Sequence, residues 1–170
     1  MKMKYALALI SAIAVSPACA GCDPTTADAR AIQSAAPRFF AQWCPDTPTA
    51  VHETTHYLSQ NGSYRMAGGA LLARPDTSSL PAPMRVLRGM FHGDYADVYL
   101  THQSSSGDSY EYLLDELNAY SVETIDAPSS DGRNGLAAIR SFVNAYRARV
   151  RLTPAAAHAT DVLLSQASGH

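Results

Sequence analysis

Five consecutive residues, His52-Glu53-Thr54-Thr55-His56, set the strongest constraint in this chain. In an α-helix, residues four apart stand one above the other on one face. His52 and His56 then offer two imidazole nitrogens to a single metal ion, at about 2.0–2.1 Å each if that ion is zinc. Glu53 sits one residue round the helix, where its carboxylate reaches a water at the metal without ligating the ion. The flanks supply the helix that this needs. Asp46 or Thr47 is a good N-cap, Pro48 suits the first helical position, and Asn61-Gly62 stops a helix that runs to about Leu58. Val51 and Leu58, seven apart, anchor its opposite face in the core. The competing account is an ordinary amphipathic helix whose two histidines match by accident.

The segment before it carries an export pattern. Lys2 and Lys4 form a basic start, Ala6 to Val15 is apolar, and Ala18-Cys19-Ala20 has the small-x-small form of a cleavage site. The apolar run is too short to cross a bilayer as a mature helix, and no other stretch qualifies as a span. Residues 1–20 are therefore expected to be a signal peptide and 21–170 one domain. Those roughly 150 residues are enough for a single core. Lipidation at Cys19 or Cys22 is a minor alternative. Cleavage leaves two cysteines, Cys22 and Cys44, which in an exported chain read as a disulfide. Closing that loop is worth about 3 kcal/mol on the loop-entropy account.

Both lysines lie in the signal, so the remainder sets eleven arginines against fifteen acidic residues, a net charge of −4 with neutral histidines. That mildly acidic balance argues against a nucleic-acid partner, which would need a basic stripe. Arg140, Arg147, Arg149 and Arg151 are expected on a solvated helix face.

Periodicity predicts a helix-rich α+β fold. Thr26 to Trp43 has apolar residues near helical spacing (Ile32, Ala35, Ala36, Phe39, Phe40 and Trp43), with Pro37 forcing a kink or two short helices. Its apolar face is expected behind the His52–His56 helix. Ser63–Met66 and Ala70–Ala73 read as a hairpin, either structural or an edge that receives an extended peptide. Pro75 to Pro83 and Ser104 to Gly107 read as loops. Short helical pieces are expected at Met84–Met90 and Tyr95–Leu100, and longer helices at 109–124, 135–151 and 154–166.

Catalytic zinc takes three protein ligands and a water, so a third ligand is needed. The extended H-E-x-x-H-x-x-G-x-x-H pattern is absent, since position 59 is Ser and position 62 is Gly. The candidates are His92, His102, Glu111, Asp115, Glu116 and Glu123. On the helix around residues 110–120, Tyr110, Leu113, Leu114, Leu117 and Tyr120 fall on one arc, the buried one. Glu111, Asp115 and Asn118 point away from it, toward solvent. Glu116 lies at the edge of the arc, where a carboxylate must be paired, by an arginine or by a metal. Glu123 is the runner-up, two turns on.

The His52–His56 pattern resembles that of the zincin metallopeptidases. Glu116-Leu117-Asn118-Ala119-Tyr120 is similar to the Glu-x-x-Ala pattern with which gluzincins supply a third ligand from a later helix. The resemblance covers only these short motifs. It implies a zinc site of His52, His56 and Glu116, with Glu53 as general base in hydrolysis of a peptide or protein substrate. Tyr120 is either a core tyrosine or a phenol that donates to a developing oxyanion. His92 and His102 are further candidates for that donation. The sheet that precedes the active helix in those families has no counterpart here, so any sheet must come from the hairpin after His56. A zinc-binding envelope protein without hydrolytic activity and a metal-free helical interaction domain are the alternatives.

Overall fold

The computed structural model describes residues 21–101 and 108–169, so the expected signal peptide, the loop at 104–107 and His102 lie outside the described residues. The predicted helix-rich α+β architecture is what the chain forms. Helix α1 (Ala27–Ala35) is capped by Thr26, whose hydroxyl accepts from the Ala29 N–H. Pro37 splits the first predicted segment, as its missing N–H requires. It opens the short helix α2 (Pro37–Phe40), and a tight turn over Ala41–Trp43 follows. Ile32 and Phe40 of this segment are buried, whereas Ala35 and Trp43, expected on the same face, are exposed because the chain turns between the two helices. A disulfide joins Cys22 to Cys44 across a Cα–Cα distance of 5.3 Å.

Helix α3 (Thr47–Leu58) carries the two histidines. Its N-cap is Asp46, which accepts from the Thr49 N–H, and Pro48 lies in the first turn. Behind it, Ala29, Ile32 and Phe40 pack with Ala50, Val51 and Val122 in a small core of their own. Strands β1 (Ser63–Arg65) and β2 (Leu71–Ala73) form the predicted antiparallel hairpin, with Tyr64 opposite Leu72. The outward backbone of β1 is already bonded: Arg65 N–H donates to Ser59 Oγ, and its carbonyl accepts from Asn118 Nδ2.

Two short helices follow, α4 (Pro83–Val86) and α5 (Asp94–Ala96), the second continuing into a wide π-type turn over Asp97–Thr101. Such turns are uncommon and tend to occur at functional sites. Helix α6 (Tyr110–Asp126) runs through the middle of the molecule, capped by Ser109. Helix α7 (Ser130–Arg147) begins five residues earlier than its sequence suggests, because Gly132, a weak helix former, is buried in its first turn and Ser129 caps it. Helix α8 (Pro154–Gln166) closes the fold and matches its prediction.

The larger core gathers Leu113, Leu114 and Leu117 of α6 against Ile139, Phe142 and Tyr146 of α7 and Leu163 of α8. Truncating any of the buried leucines to alanine would cost about 2–5 kcal/mol. Helix α6 is thus held between α3 and α7, and its expected outer face is not free. Asn118 is fully buried, donating to the Arg65 carbonyl and accepting from Gln166 Nε2, because β1 and α8 cover that side. Asp115 is also drawn inward, to His56 and Arg74. Glu111 alone of the three keeps a substantially exposed side chain, and even it meets Arg74.

Candidate metal centre

Helices α3 and α6 bring His52, His56 and Glu116 together. One ligand atom from each lies within 4.8 Å of the others. The Nε2 atoms of the two histidines are 3.1 Å apart. Each is 3.5 Å from one Glu116 oxygen, His52 from Oε2 and His56 from Oε1. Ligands at about 2.0–2.1 Å in tetrahedral array stand about 3.3–3.4 Å from one another. The two Nε2 atoms and the nearer Glu116 oxygen of each stand close to that spacing, with a different oxygen facing each histidine, so the carboxylate straddles the pair.

The chemistry of the donors agrees with the spacing. Nδ1 of His52 stands 3.1 Å from Glu123 Oε2, and Nδ1 of His56 stands 2.8 Å from Asp115 Oδ2. An ionised carboxylate only accepts, so each imidazole carries its hydrogen on Nδ1. Both Nε2 lone pairs are then turned toward the same point beside Glu116. Glu116 is 5% exposed, and its Oε2 has no hydrogen-bond partner among the described residues. Two lone pairs facing each other beside a buried carboxylate require a cation between them. A metal ion would meet that need, and so would one proton shared between the two Nε2 atoms at 3.1 Å. Burial opposes the charged form of both imidazoles, but Glu116 and Glu123 hold His52 above its ordinary value, and Asp115 and Glu116 push His56 up to about 10. Burial likewise opposes ionisation of Glu116, yet the two imidazoles hold its carboxyl far below the usual carboxylate range.

The outer partners are themselves held. Arg74, which follows β2, donates from Nε to the Ser59 carbonyl, from Nη1 to Glu111 and from Nη2 to Asp115. Glu123 Oε1 accepts from Ser129, the N-cap of α7, at 2.8 Å. Each histidine thus has a carboxylate behind it and a neutral or cationic donor behind the carboxylate. Outer contacts of this kind fix ring orientation and raise ligand basicity.

A cleft opens over the three ligands. Its larger part, about 540 Å³, is walled by Glu53, Gln60, Val98, Tyr99 and Tyr112, and a smaller part of about 280 Å³ continues past His52 toward Thr49, Tyr120 and Ser129. Glu53 lines both parts, and its carboxylate makes no hydrogen bond or ion pair among the described residues. Tyr120 packs edge-on against His52, with ring centroids 4.4 Å apart, and its hydroxyl meets that of Tyr99 at 2.9 Å. Burial pushes Tyr120 up to about 12 and Tyr99 higher still, so both phenols keep their protons at neutral pH.

Of the other third-ligand candidates, His92 is exposed and lines a separate cavity near α5. Glu123 and Asp115 serve the histidines from behind, and Glu111 reaches only Arg74 among the groups near the centre. Sequence reasoning missed the outer roles and missed Tyr99. The spacing Glu116, Tyr120, Glu123 places three side chains along one helix face, a signal for Glu123 that was present in the sequence. Nothing comparable marked Tyr99.

Compared with known proteins, the chain matches no family model, no curated protein and no solved structure. Among the described residues no helix is long and apolar enough to cross a membrane.

Proposed function

We propose that this protein is an exported zinc-dependent peptidase, with His52, His56 and Glu116 as metal ligands and Glu53 as general base. The observation that carries the reading is the convergence of both Nε2 atoms on Glu116 while both Nδ1 atoms are committed to carboxylates. Two imidazoles and one carboxylate form the donor set of open hydrolytic zinc sites, as opposed to the closed, cysteine-rich structural ones. Zinc held there would polarise a carbonyl oxygen and lower the pKa of a water beside it.

The chain's own residues account for the remaining steps. Glu53, unpaired and facing the cleft, accepts the proton of the attacking water and returns it to the departing amine. With a divalent ion held there, Glu116 and two neutral imidazoles would leave one net positive charge at the site, which would favour a developing oxyanion. Of the Tyr99 and Tyr120 hydroxyls, one donates to the other, which leaves the second free to donate from the cleft wall to a developing oxyanion. Cavities of about 540 and 280 Å³ share His52, Glu53 and Tyr99, which leaves room for a peptide chain beside the centre. The Cys22–Cys44 disulfide supports an oxidising compartment, in keeping with the export pattern of residues 1–20.

The test is cleavage of an unstructured peptide library by the zinc-loaded protein beside Glu53→Gln. The expected result is cleavage by the wild type alone, with equal zinc in both. Equal cleavage by both proteins would remove Glu53 from the mechanism. Tight zinc binding without cleavage of any peptide would favour a non-hydrolytic metal protein.

A further inference from the structure

The amino-terminal turns of α7 carry an arrangement that the metal reading does not by itself require. Gly132 and Gly135, three residues apart, face Glu123 and Tyr120, also three apart on α6. A Cβ at Gly132 would stand 2.7 Å from Glu123 Cδ and nearer still to its Oε1. A Cβ at Gly135 would stand 2.7 Å from Tyr120 Cδ1 and closer to the far side of the ring. Neither glycine has positive φ, so the backbone does not need them. The need is for space. Between them and the centre, Ser129 caps α7 through the Gly132 N–H at 2.8 Å and with the same hydroxyl donates to Glu123 at 2.8 Å.

Both side chains received by this groove touch one ligand. Glu123 holds His52 Nδ1, and Tyr120 packs against the His52 ring. His56 has no such connection, since it is held through Asp115 and Arg74. We infer that Ser129, Gly132 and Gly135 are positioning residues for the metal centre. They seat Glu123 and Tyr120 so that His52 presents Nε2 to the ion. The inference rests on the zinc-site reading and adds that α7, which supplies no ligand, sets the quality of one.

A methyl group at either glycine would have two opposed effects. In a helix, alanine is favoured over glycine, so propensity alone would raise apo stability. At these positions the methyl must also displace a side chain pinned at both ends, Glu123 between Ser129 and His52, or a rigid ring in the case of Tyr120. Loss of an outer partner of a metal-bound histidine typically weakens metal binding by 10–100-fold.

The experiment measures zinc affinity by chelator competition, the visible spectrum of the cobalt-substituted protein, and the apo melting temperature. Wild type is compared with Gly132→Ala, Gly135→Ala and Ser129→Gly. The last keeps an acceptable N-cap while removing the hydroxyl. The expected result is at least tenfold weaker zinc binding with a shifted cobalt spectrum in Gly132→Ala and Ser129→Gly, in proteins that still fold cooperatively. Wild-type affinity and spectrum in both would overturn the inference and leave the zinc site standing. Absence of stoichiometric metal in the wild type would overturn the zinc site and this inference together. If the alanine variants fail to fold, Ser129→Gly decides, because it adds no atom to the groove.

Discussion

Nδ1 of His52 lies 3.1 Å from Oε2 of Glu123, a residue seven positions beyond Glu116 on the same helix. Helix α6 therefore supplies both the carboxylate in front of the histidine pair and the carboxylate behind His52. Asp115, also on α6, stands behind His56. A single helix fixes the relative placement of all three acids along its turns.

Removing an outer carboxylate should loosen the ion without unfolding the chain. Glu123→Gln keeps the shape of the side chain but presents an amide where an acceptor stood. Zinc affinity is expected to drop about 10–100-fold, read by competition with a chromophoric chelator. Asp115→Asn should have a similar effect through His56. It also frees one arm of Arg74, so its apo stability should fall further than that of Glu123→Gln in thermal melts. Unchanged zinc affinity in both variants would mean that the histidines hold their orientation without these acids.

Tyr120→Phe separates a packing role from a chemical one. The ring stays against His52, and only the hydroxyl is lost. Its partner hydroxyl on Tyr99 is then left buried without its bond, at a cost of about 1–3 kcal/mol. The double variant with Tyr99→Phe should recover part of that loss in a denaturation cycle. Under the proposed mechanism, kcat falls by about 10²-fold or more in Tyr120→Phe with zinc content intact. A normal kcat would confine Tyr120 to packing.

The sequence carried the main elements well where local signals and packing agreed. Asp46 and Pro48 start α3, Thr153 and Pro154 start α8, and both helices end where expected. The Leu113–Leu114–Leu117 arc identified the buried face of α6 and placed Glu116 at its edge. Residues whose environment comes from distant segments were harder to read. Asn118 looked solvent-exposed by helical phase, but the hairpin and α8 enclose it. The helix expected from Gly135 starts five residues earlier, with Gly132 inside it, where the close approach of Glu123 leaves no room for a side chain. Tyr99 sits on an irregular turn with no periodicity to reveal which way it faces.

A pH effect is expected where α1 meets the end of α6. Asp126 accepts a hydrogen bond from Thr26 Oγ1 and lies close to Asp28, which Arg65 and the Gly68 N–H hold. Burial, and then the neighbouring Asp28, push Asp126 up from about 3.8 to about 6. A carboxyl raised in the folded state contributes stability at low pH and loses it as pH climbs through the folded value. Asp126→Asn imitates the protonated form. It should raise the melting temperature of the apo protein at pH 7–8 and have little effect near pH 4. Equal effects at both pH values would show that Asp126 does not titrate in this range.

Reduction of the Cys22–Cys44 bond, or Cys22→Ser with Cys44→Ser, should destabilise the protein by about 3 kcal/mol, as expected for a loop of this length. The disulfide ties the start of the domain to the segment just before α3. Urea denaturation with and without reductant measures the difference, and no change in midpoint would deny it a stabilising role.

The most direct test of the metal centre is zinc content of the purified protein after reconstitution and removal of excess metal. Wild type is set beside His56→Ala and Glu116→Ala, each checked for a cooperative melt. One zinc per wild-type chain and strongly reduced zinc in both folded variants is the predicted outcome. No zinc in the wild type, or a full equivalent retained by both variants, would contradict a site built from His52, His56 and Glu116.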